Sequence, residues 1–158
     1  MASLRGAHRE CNVVGAPPGL DNSPMEYGKA FISEGLTALD FREPSGTAAA
    51  VYDRPIGLHL LYENDPSGEE HYVVRYPAGV RGKAHSHTAA HTMVVIDGQL
   101  DVNGRVIGPG SYAHFPAGEV MRHQAAGVVP CHFVLIFHGP FDVTILDVAT
   151  DVVVDRTR

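Results

Sequence analysis

Cysteine is scarce in this chain, with one residue, Cys11, in an irregular N-terminal stretch and the other, Cys131, inside an apolar run. A disulfide scaffold is therefore not expected, and a reducing compartment fits. Basic charge is also short: 12 Lys and Arg stand against 18 Asp and Glu, for a formal net charge of −6. The basic residues fall singly, so no stripe exists to neutralise phosphates or an anionic bilayer, and neither a nucleic-acid nor a membrane partner is expected. Long apolar runs are missing too. The longest resemble Phe133–Phe137, and the opening residues from Met1 to Glu10 hold no apolar signal core, from which a cytoplasmic location is expected. Serine-histidine-aspartate order, a phosphate-cradling glycine loop and zinc-finger cysteine spacing are absent as well.

What is present describes an ordinary globular domain, 158 residues long, 44% hydrophobic and 19% charged. One hydrophobic core suits that length. Residues 1–30 carry Pro17-Pro18-Gly19 and Asp21-Asn22-Ser23-Pro24 with no sustained period, the pattern of an extended arm without chemistry. Residues 31–158 form the expected domain. From Ala48 onward, short β-prone runs alternate with turn clusters. Strands are expected near Ala49–Arg54, Gly57–Glu63, His71–Tyr76, Thr92–Ile96, Gln99–Val102, Arg105–Ile107, Ser111–Phe115, Cys131–His138 and Val143–Val148. Asn103-Gly104, between Val102 and Arg105, supplies the two positive-φ residues of a type I′ hairpin. Many short strands without interleaved helices indicate an all-β antiparallel sandwich or barrel.

Four of the 10 histidines stand apart from the rest. His85 and His87 are separated by one residue, so on a strand both imidazoles project from one face. His91 follows after the small residues Thr88-Ala89-Ala90, which allow the chain to bend and present a third ring. His123 comes after the Pro116-Ala117-Gly118 turn and must arrive from another strand.

These residues sit inside a longer pattern. Gly79-x5-His85-x-His87-x3-His91-x6-Gly98 resembles the first cupin motif in every spacing, with His91 where the family has a glutamate. Gly110-x5-Pro116-x-Gly118 resembles the second, although Met121 takes the expected histidine position and His123 follows two residues later. An even displacement keeps His123 on the same strand face. The resemblance covers roughly residues 55–148 and is to small single-domain bacterial cupins of the cupin_2-like conserved-barrel type. It implies a double-stranded β-helix, or jelly-roll, barrel holding one divalent transition metal through His85, His87, His91 and His123. Gly139-Pro140-Phe141-Asp142-Val143 resembles a segment that recurs after the second motif in one branch of these proteins. It supports membership and carries no chemistry in this reading.

Glu119, His114 and Tyr76 are the weaker candidates for catalytic residues: Glu119 as a general base at the barrel mouth, His114 as a partner behind a ligand, Tyr76 as a cavity residue. His59, His71, Tyr72 and Arg75 also lie on strands preceding the first motif. Alternation sets His71 and Arg75 on one face and Tyr72 and Tyr76 on the other, without saying which face is inside. It likewise sets Phe133, Leu135 and Phe137 opposite His132, Val134, Ile136 and His138.

Imidazole-only ligation suits Fe2+ or Zn2+, with Ni2+, Mn2+ or Cu2+ as further options, and leaves the metal its full +2 charge. Two chemistries follow for a small enolisable substrate. One is an Fe(II) dioxygenase cleaving a C–C bond of a diketone or phenolic ketone. The other is a Zn(II) Lewis-acid cyclase or isomerase resembling the cupin-type polyketide cyclases. The alternative is a non-catalytic cupin that binds a small ligand or senses metal. A homodimer is expected, because single-domain cupins pair through sheet edges and apolar segments such as Val152-Val153-Val154 can cover an edge strand.

Overall fold

The computed structural model describes Gly35 and residues 39–146. The arm expected over residues 1–30, with Cys11, and the apolar segment Val152-Val153-Val154 lie outside the described residues. Among the described residues there are ten strands and one short helix, α1 (Gly46–Ala50). No helix among the described residues is long and apolar enough to cross a membrane.

One sheet has five strands in the order β1 (Gly57–Asn64), β2 (Glu69–Tyr76), β9 (Cys131–Phe137), β4 (His91–Asp97) and β7 (Tyr112–Phe115). A three-stranded sheet runs β6 (Arg105–Ile107), β5 (Leu100–Val102), β8 (His123–Ala125), and β10 (Thr144–Ile145) pairs with β3 (His85–Ser86). Every pairing is antiparallel. Met121 exchanges two backbone hydrogen bonds with His85, of 2.8 and 2.9 Å, so the two smaller sheets meet at β3. This is the all-β jelly roll that the strand pattern and motifs imply.

Alternation along β9 decides which residues fill the interior. Phe133, Leu135 and Phe137 are buried, while His132, Val134 and Ile136 between them are only partly covered. The aromatic face is therefore the inner one, and burial of three large apolar side chains contributes roughly 1.5–3 kcal/mol each. β9 pairs with both β2 and β4, which places Val74, Tyr76, Met93 and Val95 in the same core.

The hairpin at Asn103-Gly104 forms as its sequence requires, with φ of 52° and 85° and Val102 opposite Arg105. The strand expected at Ala49–Arg54 does not form. Gly46-Thr47-Ala48-Ala49-Ala50 closes a helical turn instead, and only Tyr52 makes a bridge, to Gly82; three successive alanines favour a helix over a pleated strand. The strand expected over Val143–Val148 is seen as β10, and its remainder beyond Leu146 lies outside the described residues. β3 and β8, two and three residues long, lie outside the alternating runs, and only the histidine spacing puts His85 and His123 on strands.

Gly98, the last glycine of the first motif, turns the chain from β4 into β5 with φ of 73°, and a Cβ there would stand 2.3 Å from the Pro130 carbonyl oxygen. Gly98→Ala therefore meets both an unfavourable φ and a backbone clash. A loss of at least about 1–3 kcal/mol in urea unfolding is expected. An unchanged midpoint would mean that the β4–β5 turn does not pack against Pro130.

Candidate functional site

His85 lies in β3, His87 just beyond it, His91 begins β4 and His123 begins β8. All four rings turn inward and are buried, with 0–6% of each residue exposed. Neighbouring rings pack edge to face, with centroid separations of 5.1 Å for His85–His87, 4.9 Å for His87–His91 and 4.8 Å for His85–His123. His91 is further held between Phe115, stacked on it at 4.8 Å, and Phe137 at 5.1 Å.

Three of the four Nδ1 atoms have partners. His85 Nδ1 donates to the Lys83 carbonyl at 2.8 Å, and His87 Nδ1 donates to the Asp142 carbonyl. Since a carbonyl can only accept, both rings are fixed with their lone pairs on Nε2. His123 Nδ1 faces the Tyr76 hydroxyl at 2.7 Å, and that hydroxyl bonds in turn to Tyr52. His91 differs, because neither of its ring nitrogens makes a hydrogen bond although both are out of solvent.

The four imidazoles border one cavity of about 60 Å³, whose other walls include Val51, Ile56, Leu58, Val74, Leu135 and Phe137. Tyr52, Tyr72 and Tyr76 reach it as well, and among the described residues no lysine, arginine, aspartate or glutamate does. This settles the face of β2: Tyr72 and Tyr76 point in, while His71 bonds to Glu69 at 2.9 Å and Arg75 lies 4.7 Å over the Phe41 ring.

With this geometry in hand, comparison with known proteins is informative. Residues 50–142 match the ChrR cupin-like domain family. The chain belongs to that family. No curated protein matches the sequence. An acetylacetone dioxygenase from Acinetobacter johnsonii superposes with a TM-score of 0.61 at 17% identity, over 85% of this chain and 89% of its own. A provisionally assigned acetylacetone dioxygenase from Methylibium petroleiphilum PM1 gives 0.59 at 21% identity, over 77% and 85%. A cupin-like protein from Thermotoga maritima MSB8 gives 0.57 at 21% identity, over 67% and 86%. At these identities the likeness concerns the fold.

Within this cupin, the donor set suits a divalent transition metal: neutral imidazoles, two with Nε2 lone pairs fixed by carbonyls, and one dry ring without a partner. His85 Nε2 and His123 Nε2 stand 3.2 Å apart, close to the separation of about 3.3 Å for two nitrogens bound tetrahedrally at about 2.0–2.1 Å. As the rings stand, however, no three His, Cys, Asp or Glu side chains among the described residues are set to hold one ion.

Two of the weaker candidates do not reach the cupin cavity. Glu119 is exposed and borders a separate groove beside β7. His114 is exposed on the outer face of the large sheet, where its Nδ1 bonds to Thr92 Oγ1 at 3.0 Å and the same hydroxyl meets His138 at 2.9 Å. His59 is likewise outside, bonded to the Asp40 carbonyl at 2.9 Å. Tyr76 is the candidate that the structure brings to the imidazoles.

Asp142 was missed by the sequence reading. Its carboxylate accepts from Thr88 N at 2.7 Å and Thr88 Oγ1 at 2.6 Å, and its carbonyl fixes His87. The hydrogen bonds from Thr88 hold its carboxyl below the usual carboxylate range. Phe141 beside it packs on His87 at 5.7 Å and Phe137 at 5.0 Å. The only signal was the Gly139–Val143 segment itself, whose partner, Thr88, lies 54 positions earlier than Asp142. Nothing local to Tyr52 marks it either, because its partners Tyr76 and His123 lie 24 and 71 positions later.

Burial pushes all four imidazoles below their ordinary range, and their mutual proximity adds to it for His85, His91 and His123. His91 is brought down to about 3, by burial first and then by the neighbouring His87 and His85 rings. In the unfolded chain each ring takes a proton below about pH 6.5. The unfolded state thus binds more protons than the native one as pH falls from there toward about 3, and stability falls with it. Each ring still neutral contributes about 1.4 kcal/mol per pH unit to that fall. Thermal melts of the metal-free protein should show a steep loss of Tm below pH 6.5. A Tm that holds steady down to pH 5 would mean that the rings are not buried.

Proposed function

We propose that this cupin is a metal-dependent enzyme acting on a small enolisable compound of the β-dicarbonyl type, and that the reaction is oxygen-dependent C–C cleavage. The observation that carries the reading is the cavity, where four buried imidazoles meet apolar walls with no charged side chain among the described residues. His85, His87, His91 and His123 would hold the metal. When bound, iron(II) would supply Lewis acidity toward an enolate and the redox capacity that O₂ chemistry needs.

The chain's own residues do the rest. Leu58, Val74, Leu135 and Phe137 receive an apolar substrate body and exclude water, which strengthens every polar contact inside. The absence of a cationic lining disfavours phosphates and sugar acids, whereas an enolate presents one negative charge to a centre whose ligands are all neutral. The Tyr52 and Tyr76 phenols, both held protonated by burial, are the hydroxyl groups nearest the imidazoles. Acetylacetone, named for two of the structurally similar proteins, is a compound of the required size and acidity. A cavity of about 60 Å³ is far below the roughly 300–1,000 Å³ of sites for drug-sized molecules. It therefore suits a diketone better than a fused-ring polyketide, which weighs against the zinc cyclase reading.

Iron-loaded protein mixed with β-diketones, phenolic ketones and short sugar acids in an oxygen electrode tests the proposal. One O₂ consumed per diketone, with both oxygen atoms in a carboxylic acid and a dicarbonyl fragment, is expected. Metal binding without oxygen uptake on any of the three classes would overturn it in favour of a ligand-binding or metal-sensing cupin. His85→Ala and His87→Ala should each lose the metal and the thermal stabilisation that metal confers. His91→Glu should retain metal with altered reactivity, because a carboxylate removes about one unit of positive charge. Failure of a folded His91→Glu protein to hold metal would remove His91 from the ligand set.

A further inference from the structure

We infer that the Tyr76–Tyr52 hydroxyl pair is a tautomer switch that lets His123 alternate between ring donor and metal ligand, while His85 and His87 are locked as ligands. The inference rests on the proposed metal site and concerns how the protein readies that site before metal arrives.

The hydrogen-bond directions follow from what each group can do. A neutral imidazole has one N–H and one lone pair. His85 Nδ1 faces the Lys83 carbonyl at 2.8 Å and must donate to it, so His85 Nε2 carries the lone pair. In the 3.2 Å contact between His85 Nε2 and His123 Nε2, the proton must then come from His123. That leaves the lone pair of His123 on Nδ1, where it accepts from the Tyr76 hydroxyl at 2.7 Å. The Tyr76 oxygen in turn accepts from Tyr52. Without metal, each bond in this chain has one donor and one acceptor.

A metal at His123 Nε2 requires the opposite tautomer, with the proton on Nδ1. A carbonyl behind His123 could not serve both states. A phenol can, because its oxygen accepts and its O–H donates. On metal binding, His123 Nδ1–H would donate to the Tyr76 oxygen, the Tyr76 hydroxyl would turn to donate to the Tyr52 oxygen, and the Tyr52 O–H would rotate away from Tyr76. No net proton is gained or lost along the chain: His123 gives up the Nε2 proton and takes one at Nδ1. Burial keeps both phenols protonated throughout. Tyr76 is thus a positioning residue acting through His123. His87, backed by the Asp142 carbonyl, has no such freedom.

Nitrogen-15 NMR of histidine-labelled protein reads the two tautomers directly. In metal-free wild type, His85 and His87 should carry the proton on Nδ1 and His123 on Nε2. After zinc addition His123 should carry it on Nδ1, with His85 and His87 unchanged. Tyr76→Phe, which preserves the ring, should weaken zinc binding by about 10–100-fold, the usual effect of removing a partner behind a metal ligand. Tyr52→Phe should weaken it less, since the Tyr76 oxygen still receives the His123 proton. A metal-free His123 already protonated on Nδ1, a zinc-bound His123 still protonated on Nε2, or equal zinc affinity in Tyr76→Phe would each overturn the switch. Wild-type imidazole signals that ignore zinc would overturn the metal site itself, a result distinct from these three.

Discussion

An imidazole buried without charge has one N–H to donate and one lone pair to present, and a dry apolar cavity offers few partners for either. Four such rings meet in this barrel, delivered by β3, the segment after it, β4 and β8. Much of the surrounding structure follows from supplying their second nitrogens. The Lys83 and Asp142 carbonyls fix two rings, Tyr76 backs a third, and Phe115 and Phe137 sandwich the fourth, whose nitrogens have no protein partner. An orphaned pair of buried nitrogens beside three oriented rings is poor design for a core and good design for a cation.

The barrel provides the rigidity that this arrangement needs. β9 sits between β2 and β4, so Phe133, Leu135 and Phe137 are buttressed on both sides, and the inner face of β2 delivers Tyr72, Val74 and Tyr76 to the same cavity. The smaller sheets meet through His85 and Met121, a backbone joint at which one of the four buried imidazoles sits. Gly82 packs its backbone so close to the His123 carbonyl that a Cβ would stand 2.4 Å from it. Site and scaffold are therefore hard to separate: Asp142 both clamps Thr88 and holds His87.

Short-range signals were readable in the sequence. The alternation on β9 grouped Phe133, Leu135 and Phe137 on one face without saying that it is the inner one, Asn103-Gly104 marked the hairpin, and the His85-x-His87 spacing put two rings on one side, each acting over a few residues. The two-residue displacement of His123 from the motif position also came out as parity requires, with Met121 and His123 both buried. What could not be read depends on pairing across the chain. The hydroxyl chain from Tyr52 through Tyr76 to His123 joins residues 24 and 47 positions apart, and nothing local in either tyrosine marks it. At Ala49–Arg54 the expectation of a strand followed the neighbouring strands against the helical propensity of Ala48-Ala49-Ala50, and a helical turn forms there.

The central claim is that these four imidazoles, and no sulfur or carboxylate, bind one divalent metal. X-ray absorption spectroscopy of iron- or zinc-loaded protein tests it most directly. The account requires a first shell of nitrogen or oxygen near about 2.0–2.2 Å, with the outer-shell scattering of three or four imidazole rings. A sulfur scatterer at about 2.3 Å, which Cys131 would supply, or a shell without imidazole scattering, would contradict it.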